Sequence, residues 1–330
     1  MTFRVAVTGD FEKLALQAAP WNELGKDAEV VAFHEPFASE QATIAALQDF
    51  DAITLIQERI PLTHEILEKL PRLKLIVFTG RKNETLDAAA ALARNITVCK
   101  CSPDFEVPPE APGGKSPVEL TFALLLSCTW QTGPNTSLIR QGGWVTQCGV
   151  ALRGKTLGIV GYGSLGRPVG RIGLAFGMDV LAFGRSLTDE AAAADNVTRA
   201  DLDTLLGQSD VISIHLPLNS ATRGLIGAPQ IGLMKPGVIL INTARAAIVE
   251  EQPLIDALQS RKIAMAGLDV YWREPLPSDH PLTRLPNVVM TPHIGYATEE
   301  AMVVRYRELL RTLVAYREGN VVGRYVPEPI

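Results

Sequence analysis

The feature that most constrains this 330-residue chain is a repeating alternation of short apolar runs with helical stretches. Over the first hundred residues "RVAVTG", "EVVAFH", "AITLI", "KLIVFTG" and "ITVC" read as strands. "FEKLALQAA", "SEQATIAALQ", "THEILEKL" and "ETLDAAAALARN" read as the helices between them. From Thr156 the alternation resumes: "LGIVG", "DVLAF", "DVISIHLP", "GVILINTA", "IAMAGLDV" and "NVVMTPH" are strands, with "ADLDTLLGQ" and "EEQPLIDALQSR" among the helices. Strands joined by helices pair most readily as a parallel sheet with helices on both faces. Two such sets predict an α/β chain with two doubly wound parallel sheets.

The sets are separated by "CSPDFEVPPEAPGGKSP", which carries five prolines and two glycines and reads as a hinge. The run after it, "VELTFALLLSCTWQ", is apolar all round and is expected to be buried between domains or between subunits. A last long helix, roughly Thr298 to Arg317, returns to the first set. With 47% hydrophobic and 20% charged residues the chain can bury a large core without disulfide or metal staples. A net charge of −5 gives no basic footprint for nucleic acid. The four cysteines, Cys99, Cys101, Cys128 and Cys148, match no zinc spacing and read as reduced thiols of a cytoplasmic protein. No secretory h-region opens the chain, and Leu120 to Trp130 is too short to span a bilayer.

"VGYGSLG" sets Gly161, Gly163 and Gly166 in a G-x-G-x-x-G turn that follows a strand and opens a helix, the context a dinucleotide fingerprint needs. Gly161 permits the turn, Gly163 lets backbone approach a pyrophosphate, and Gly166 lets helix and strand pack closely. The Ser164 and Leu165 amides would face the phosphates. About 20 residues on, an acid normally holds the adenosine ribose. Here Gly184 stands, followed by Arg185 and Ser186. The missing carboxylate removes repulsion of a 2′-phosphate, and a guanidinium with a hydroxyl can bind one. The expectation is NADP(H) in preference to NAD(H).

Three polar residues follow late strands: Arg245 after "ILINTA", Glu274 after "AGLDVYWR" and His293 after "NVVMTP". Ligands of doubly wound sheets bind beyond the carboxyl ends of strands. Hydride addition to a keto group leaves charge on oxygen, and a histidine is the natural proton donor near neutral pH. Glu274 would orient that imidazole and favour its charged form. Arg245 would clamp a substrate carboxylate and polarise the carbonyl.

The stretches "LGIVGYGSLG", "HLPLNSATRGLI", "MKPGVILINTARAAIVEE", "GLDVYWREPLP" and "NVVMTPHIGYAT" together resemble the D-isomer-specific 2-hydroxyacid dehydrogenase family. The resemblance implies a flavodoxin-like substrate domain, residues 1–102 and 298–330, with a Rossmann domain, residues 103–297, inserted in it, and a homodimer. It implies Arg245, Glu274 and His293 as the catalytic set. Further cofactor contacts map to Ser164, Leu165, His215, Leu216, Pro217, Thr222, Thr243, Ala244, Asp269 and Gly295. The loop "TGRKNETLD" would bind the substrate carboxylate, making Gly80, Arg81 and Lys82 substrate residues beside Arg245 and His293. The family pattern has a second glycine near Lys82 and a glycine where this chain has Ala246, and the proline-rich segment 103–117 is longer than usual.

The expected activity is NADP(H)-dependent interconversion of small 2-keto acids, glyoxylate- or hydroxypyruvate-like, and D-2-hydroxy acids, with domain closure excluding water. Phosphite oxidation by a similar Arg–Glu–His set is the alternative within the fold. A cofactor-sensing, corepressor-like binding protein with little turnover is the alternative outside it. Formate dehydrogenases are disfavoured because they carry Gln in place of the Glu.

Overall fold

The alternation is realised as two all-parallel sheets in a computed structural model that describes residues 2–80, 82–101, 113–145 and 148–327. The chain divides into two compact units, residues 1–114 with 297–330 and residues 115–296. The proline-rich hinge falls mostly outside the described residues, as does Arg81.

Unit 1 opens with β1 (Phe3–Thr8), α1 (Ala15–Ala18), β2 (Ala28–Ala32), α2 (Glu40–Leu47), β3 (Ala52–Leu55), α3 (His64–Glu68), β4 (Leu75–Phe78), α4 (Ala88–Ala93) and β5 (Thr97–Lys100). Its strand order is β2-β1-β3-β4-β5, the flavodoxin-like arrangement. β3 and β4 are buried along their whole length, as strands covered on both faces must be. Side-chain caps start the helices: Ser39 accepts from the Ala42 amide at 3.2 Å and Asp87 from the Ala90 amide at 2.8 Å. The run "FEKLALQAA" is helical only over Ala15–Ala18. Lys13 takes a left-handed φ of 59° before it, and Ala19 is extended because Pro20 follows.

Unit 2 runs α5 (Ser116–Trp130), α6 (Thr132–Arg140), β6 (Thr156–Val160), α7 (Gly166–Ala175), β7 (Asp179–Phe183), α8 (Asp189–Ala194), β8 (Thr198–Arg199), α9 (Leu202–Gln208), β9 (Val211–Ile214), α10 (Ala228–Leu233), β10 (Val238–Asn242), α11 (Glu251–Gln259), β11 (Ile263–Leu268) and β12 (Val288–Met290). The strand order β12-β11-β10-β9-β6-β7-β8 reverses direction between β6 and β9, where such sheets open a crevice for ligands. Strand periodicity sorts the core. Ile239 and Ile241 of β10 join Phe122 and Leu125 of α5 on one face. Val238 and Leu240 join Leu205 of α9 and Leu254 of α11 on the other. The apolar helix α5 therefore packs on β10, β11 and β12 of its own unit.

The chain then returns to unit 1 as α12 (Glu299–Arg317). Tyr306 is fully buried there, and its hydroxyl donates to Asp10 Oδ1 at 2.7 Å. The same oxygen accepts from the Leu14 and Ala15 amides at 2.9 and 3.0 Å. The Arg317 guanidinium closes the far end on the Leu24 carbonyl and the Asp27 carboxylate.

Candidate active site

The glycine turn lies at the crevice. Gly161 leaves β6 with φ +108°, and a Cβ there would stand 2.7 Å from the His215 carbonyl carbon. The turns after β6 and β9 thus meet backbone to backbone, which only glycine allows. A Cβ on Gly166 would stand 2.1 Å from the Gly161 carbonyl oxygen, so the start of α7 rests directly on the turn. A Cβ on Gly163 would meet nothing within 4 Å, and Gly163 and Ser164 are exposed. In the first turn of α7 the Arg167 amide donates to the Gly163 carbonyl at 3.0 Å and Pro168 has no amide hydrogen. The backbone donors of a cradle suited to a pyrophosphate are therefore those of the turn itself, at Ser164 and Leu165. The residues fit a dinucleotide. Gly166→Ala is expected to lower stability by about 1–3 kcal/mol through overpacking and to weaken cofactor binding. Thermal melts and a fluorescence titration check this, and wild-type values in both would show that the contact relaxes without moving the turn.

Around this cradle, His215 Nε2 lies 2.8 Å from Ser213 Oγ, and burial pushes its imidazole down to about 4, so it is neutral at physiological pH. Leu216 follows it, and its amide nitrogen would lie 2.8 Å from a Gly161 Cβ. Thr222 closes the next turn, donating to the Pro217 carbonyl at 2.7 Å and accepting from the Asn219 amide at 2.9 Å. Thr243 shares a 3.0 Å hydrogen bond with Thr121 of α5. Gly184, Arg185 and Ser186 follow β7; Arg185 and Ser186 are exposed. A hollow of about 440 Å³ beside Gly184 is walled by Leu181, Phe183, Thr198, Arg199 and Thr204.

Arg245, Glu274 and His293 follow β10, β11 and β12, three neighbouring strands of one sheet. His293 Nδ1 lies 2.7 Å from Glu274 Oε2. Glu274 Oε1 accepts from the Tyr271 amide at 2.9 Å. Burial alone would raise the Glu274 carboxyl, but the His293 hydrogen bond and charge, the Tyr271 amide and Arg245 hold it below its ordinary value. Its negative charge is therefore in place at neutral pH. A carboxylate only accepts, so Nδ1 carries a proton and Nε2 is the nitrogen left for other chemistry. Arg245 is exposed, with Nη1 on the Ala244 carbonyl at 2.8 Å.

Buried and half-buried groups set this arrangement, and sequence reading passed over two of them, Asn242 and Tyr271. Asn242 donates to the Arg245 carbonyl at 3.0 Å and accepts from the Ala244 amide at 3.0 Å. An Asn closing a strand before a turn was the available signal. The Tyr271 hydroxyl lies 2.9 Å from the Thr291 carbonyl and ties the Glu274 loop to the His293 loop. Asp269 is 1% exposed and accepts from Thr291 Oγ1, the Ile294 amide and the Gly295 amide at 2.6, 2.8 and 2.9 Å. Burial nevertheless leaves its carboxyl above the usual range. These bonds grip both sides of His293, whose φ of +54° is left-handed.

In unit 1, Gly80 takes φ +101°, and a Cβ there would stand 3.2 Å from Gln57 Oε1. Gln57 is itself fixed, its amide donating to Thr79 Oγ1 and its carbonyl accepting from Asn83 Nδ2, both at 2.8 Å. Lys82 is exposed and lies 3.5 Å from Glu84.

Residues 122–295, more than half the chain, match the sequence profile of the D-isomer specific 2-hydroxyacid dehydrogenase NAD binding domain. The chain belongs to this family. It is 34% identical over 296 residues to a glyoxylate reductase of Thermococcus litoralis, covering 86% of each chain. It is 34% identical over 281 residues to a hydroxypyruvate reductase of Blautia hydrogenotrophica, covering 83% of this chain and 84% of the relative. The crystal structure of a phosphoglycerate oxidoreductase from Vibrio cholerae o395 aligns with a TM-score of 0.84 at 29% identity, over 96% of this chain and 100% of that one. This D-2-hydroxyacid dehydrogenase is thus a nicotinamide-dependent oxidoreductase of 2-keto and 2-hydroxy acids. No described helix is long and apolar enough to cross a membrane.

Proposed function

We propose that the protein is an NADPH-dependent reductase of small 2-keto acids, of glyoxylate or hydroxypyruvate type, yielding the D-2-hydroxy acid. The observation that carries this is the 2.7 Å His293–Glu274 pair beside Arg245, at the carboxyl ends of three neighbouring strands. The bound dinucleotide supplies the hydride. His293 delivers a proton from Nε2 to the carbonyl oxygen as charge develops there. Glu274 holds the ring and offsets the imidazolium charge. Arg245 binds the substrate carboxylate and polarises the carbonyl. Residues 115–296 serve as the dinucleotide domain and the remainder as the substrate domain. The names of the Thermococcus and Blautia relatives favour this substrate class.

The test is a panel of 2-keto acids of increasing size, with phosphite in the oxidative direction, followed with NADPH and NADH in parallel. Reduction of glyoxylate or hydroxypyruvate with NADPH is expected. Tight cofactor binding without turnover of any member would favour the sensing reading instead.

Glu274→Gln is expected to lower kcat for keto-acid reduction about tenfold or more, because a neutral amide neither fixes the proton on His293 Nδ1 nor offsets the imidazolium charge. NADPH binding, followed by fluorescence, should be unchanged. A wild-type kcat would show that Glu274 does not act through His293.

We further read the protein as a cytoplasmic homodimer. Trp130, Ile139, Trp144 and Val145 are 59%, 60%, 76% and 76% exposed at and after the end of α5, the kind of large apolar side chains that a subunit contact would cover. The exposed free thiol of Cys148 suits a reducing compartment. Sedimentation equilibrium should give twice the chain mass, and fractionation should find the protein in the cytosol.

A further inference from the structure

Beside the glycine turn lies a charge cluster that the mechanism does not use. Tyr162, the residue between Gly161 and Gly163, turns its hydroxyl onto Asp195 Oδ2 at 3.3 Å. Asp195 caps the end of α8 and its side chain is only 10% exposed. Arg167, on the first turn of α7, reaches the same oxygen through Nε at 2.8 Å. Arg171, one helical turn on, reaches Oδ1 through Nη2 at 3.2 Å. The Arg167 guanidinium also lies over the Tyr162 ring, 5.9 Å from its centroid. Burial first, and then Asp195, pushes the Tyr162 hydroxyl up to about 12, so it stays a neutral donor.

This cluster adjoins the end of β7. The Tyr162 amide donates to the Phe183 carbonyl at 3.1 Å. A Cβ on Gly184 would stand 3.5 Å from that amide nitrogen and 3.7 Å from the Tyr162 Cβ. Asp195 is therefore one tyrosine side chain away from the position where the ribose acid is missing. The α8 acids Asp189 and Glu190 are exposed, and Asp189 already pairs with Arg199 at 3.3 Å. A bare carboxylate at Asp195 would add negative charge behind this position, and such a charge acts on a phosphate over distances of about a Debye length, roughly 8–10 Å.

We propose that Arg167 and Arg171 mask the Asp195 carboxylate, and that this masking is a second determinant of preference for a 2′-phosphorylated dinucleotide. The absence of an acid at position 184 clears the site itself, and the two guanidiniums cancel the acid behind Tyr162, while Asp201, which lines the hollow beside Gly184, accepts from the Thr204 amide and hydroxyl at 2.8 and 2.9 Å. The proposal rests on the NADP(H) reading above and concerns positioning of charge, with no contact between Arg167 and cofactor required.

The test is calorimetric binding of NADPH and of NADH to the whole protein without keto acid. Arg167→Ala should lower the NADPH-to-NADH affinity ratio about tenfold, the scale of one unscreened charge at this range. Adding Asp195→Asn to Arg167→Ala should restore the ratio. An unchanged ratio in Arg167→Ala overturns the proposal. So does a lowered ratio that Asp195→Asn fails to restore, since Arg167 would then bind the phosphate itself. Should Arg167→Ala not fold, Asp195→Asn alone decides: a raised ratio supports masking that is incomplete, and a lowered one overturns it. The wild-type ratio separately tests the NADP(H) preference, because the change on mutation is read whichever dinucleotide binds better.

Discussion

Replacing His293 with Ala is expected to lower kcat for keto-acid reduction about 10²- to 10⁴-fold, the usual worth of a positioned general acid. Binding of NADPH, followed by fluorescence, should survive, because the cradle at Gly161–Gly166 lies on β6 and not on β12. The backbone complicates the experiment. His293 has φ +54°, a left-handed conformation that alanine adopts at a cost and asparagine tolerates better. His293→Asn is therefore the companion variant: it keeps the turn and removes the proton donor. A loss shared by both variants belongs to the acid. A loss in Ala with activity kept in Asn belongs to the turn, and the proton would then have to come from elsewhere.

The second large effect is on cofactor choice. The double variant Gly184→Asp, Arg185→Ala should reduce the NADPH-to-NADH ratio of kcat/KM about a hundredfold. The estimate combines the loss of a charge-assisted hydrogen bond, about 1.5–3 kcal/mol, with repulsion from the new carboxylate. The site can accept the change. A Cβ at Gly184 would have Leu187 Cβ and the Tyr162 amide as nearest neighbours, both at 3.5 Å, which is ordinary contact. An aspartate enters without moving the strand, so a drop in NADPH use would not be a folding artefact. A wild-type protein that already prefers NADH would remove the basis for reading Arg185 and Ser186 as a phosphate site.

Much of this architecture was legible because parallel strands covered on both faces must be continuously apolar, and helices between them must not be. Strand ends then fix where Arg245, Glu274 and His293 stand, since a ligand meets a parallel sheet at its carboxyl edge. What could not be read depends on the chain meeting itself in space. Tyr162, Arg167, Arg171 and Asp195 converge only because α8 folds back beside α7. Asp269, which the family resemblance makes a cofactor contact, is buried and gripping the His293 loop. Nothing local distinguishes an acid aimed at a ligand from one aimed at backbone amides. The apolar cylinder of α5 could have been covered by several neighbours, and sequence does not say which. The shortness of α1 was within reach, because Pro20 already disfavours helix at Ala19.

The return of α12 to unit 1 has a consequence for how the protein is born. Synthesis runs from the N-terminus, and domains generally fold as units as they emerge. The first strands are made early, yet Asp10 stays without the Tyr306 hydroxyl that completes its buried site until the final helix leaves the ribosome. Residues 115–296 have no such dependence, since both faces of their sheet are covered from within the segment. A nascent chain stalled with residue 296 just exposed should therefore yield to protease a resistant fragment from unit 2 and a digested N-terminal segment. A resistant N-terminal segment at that length would show that unit 1 closes without its last helix. The part of the protein that begins first is, on this account, the part that finishes last.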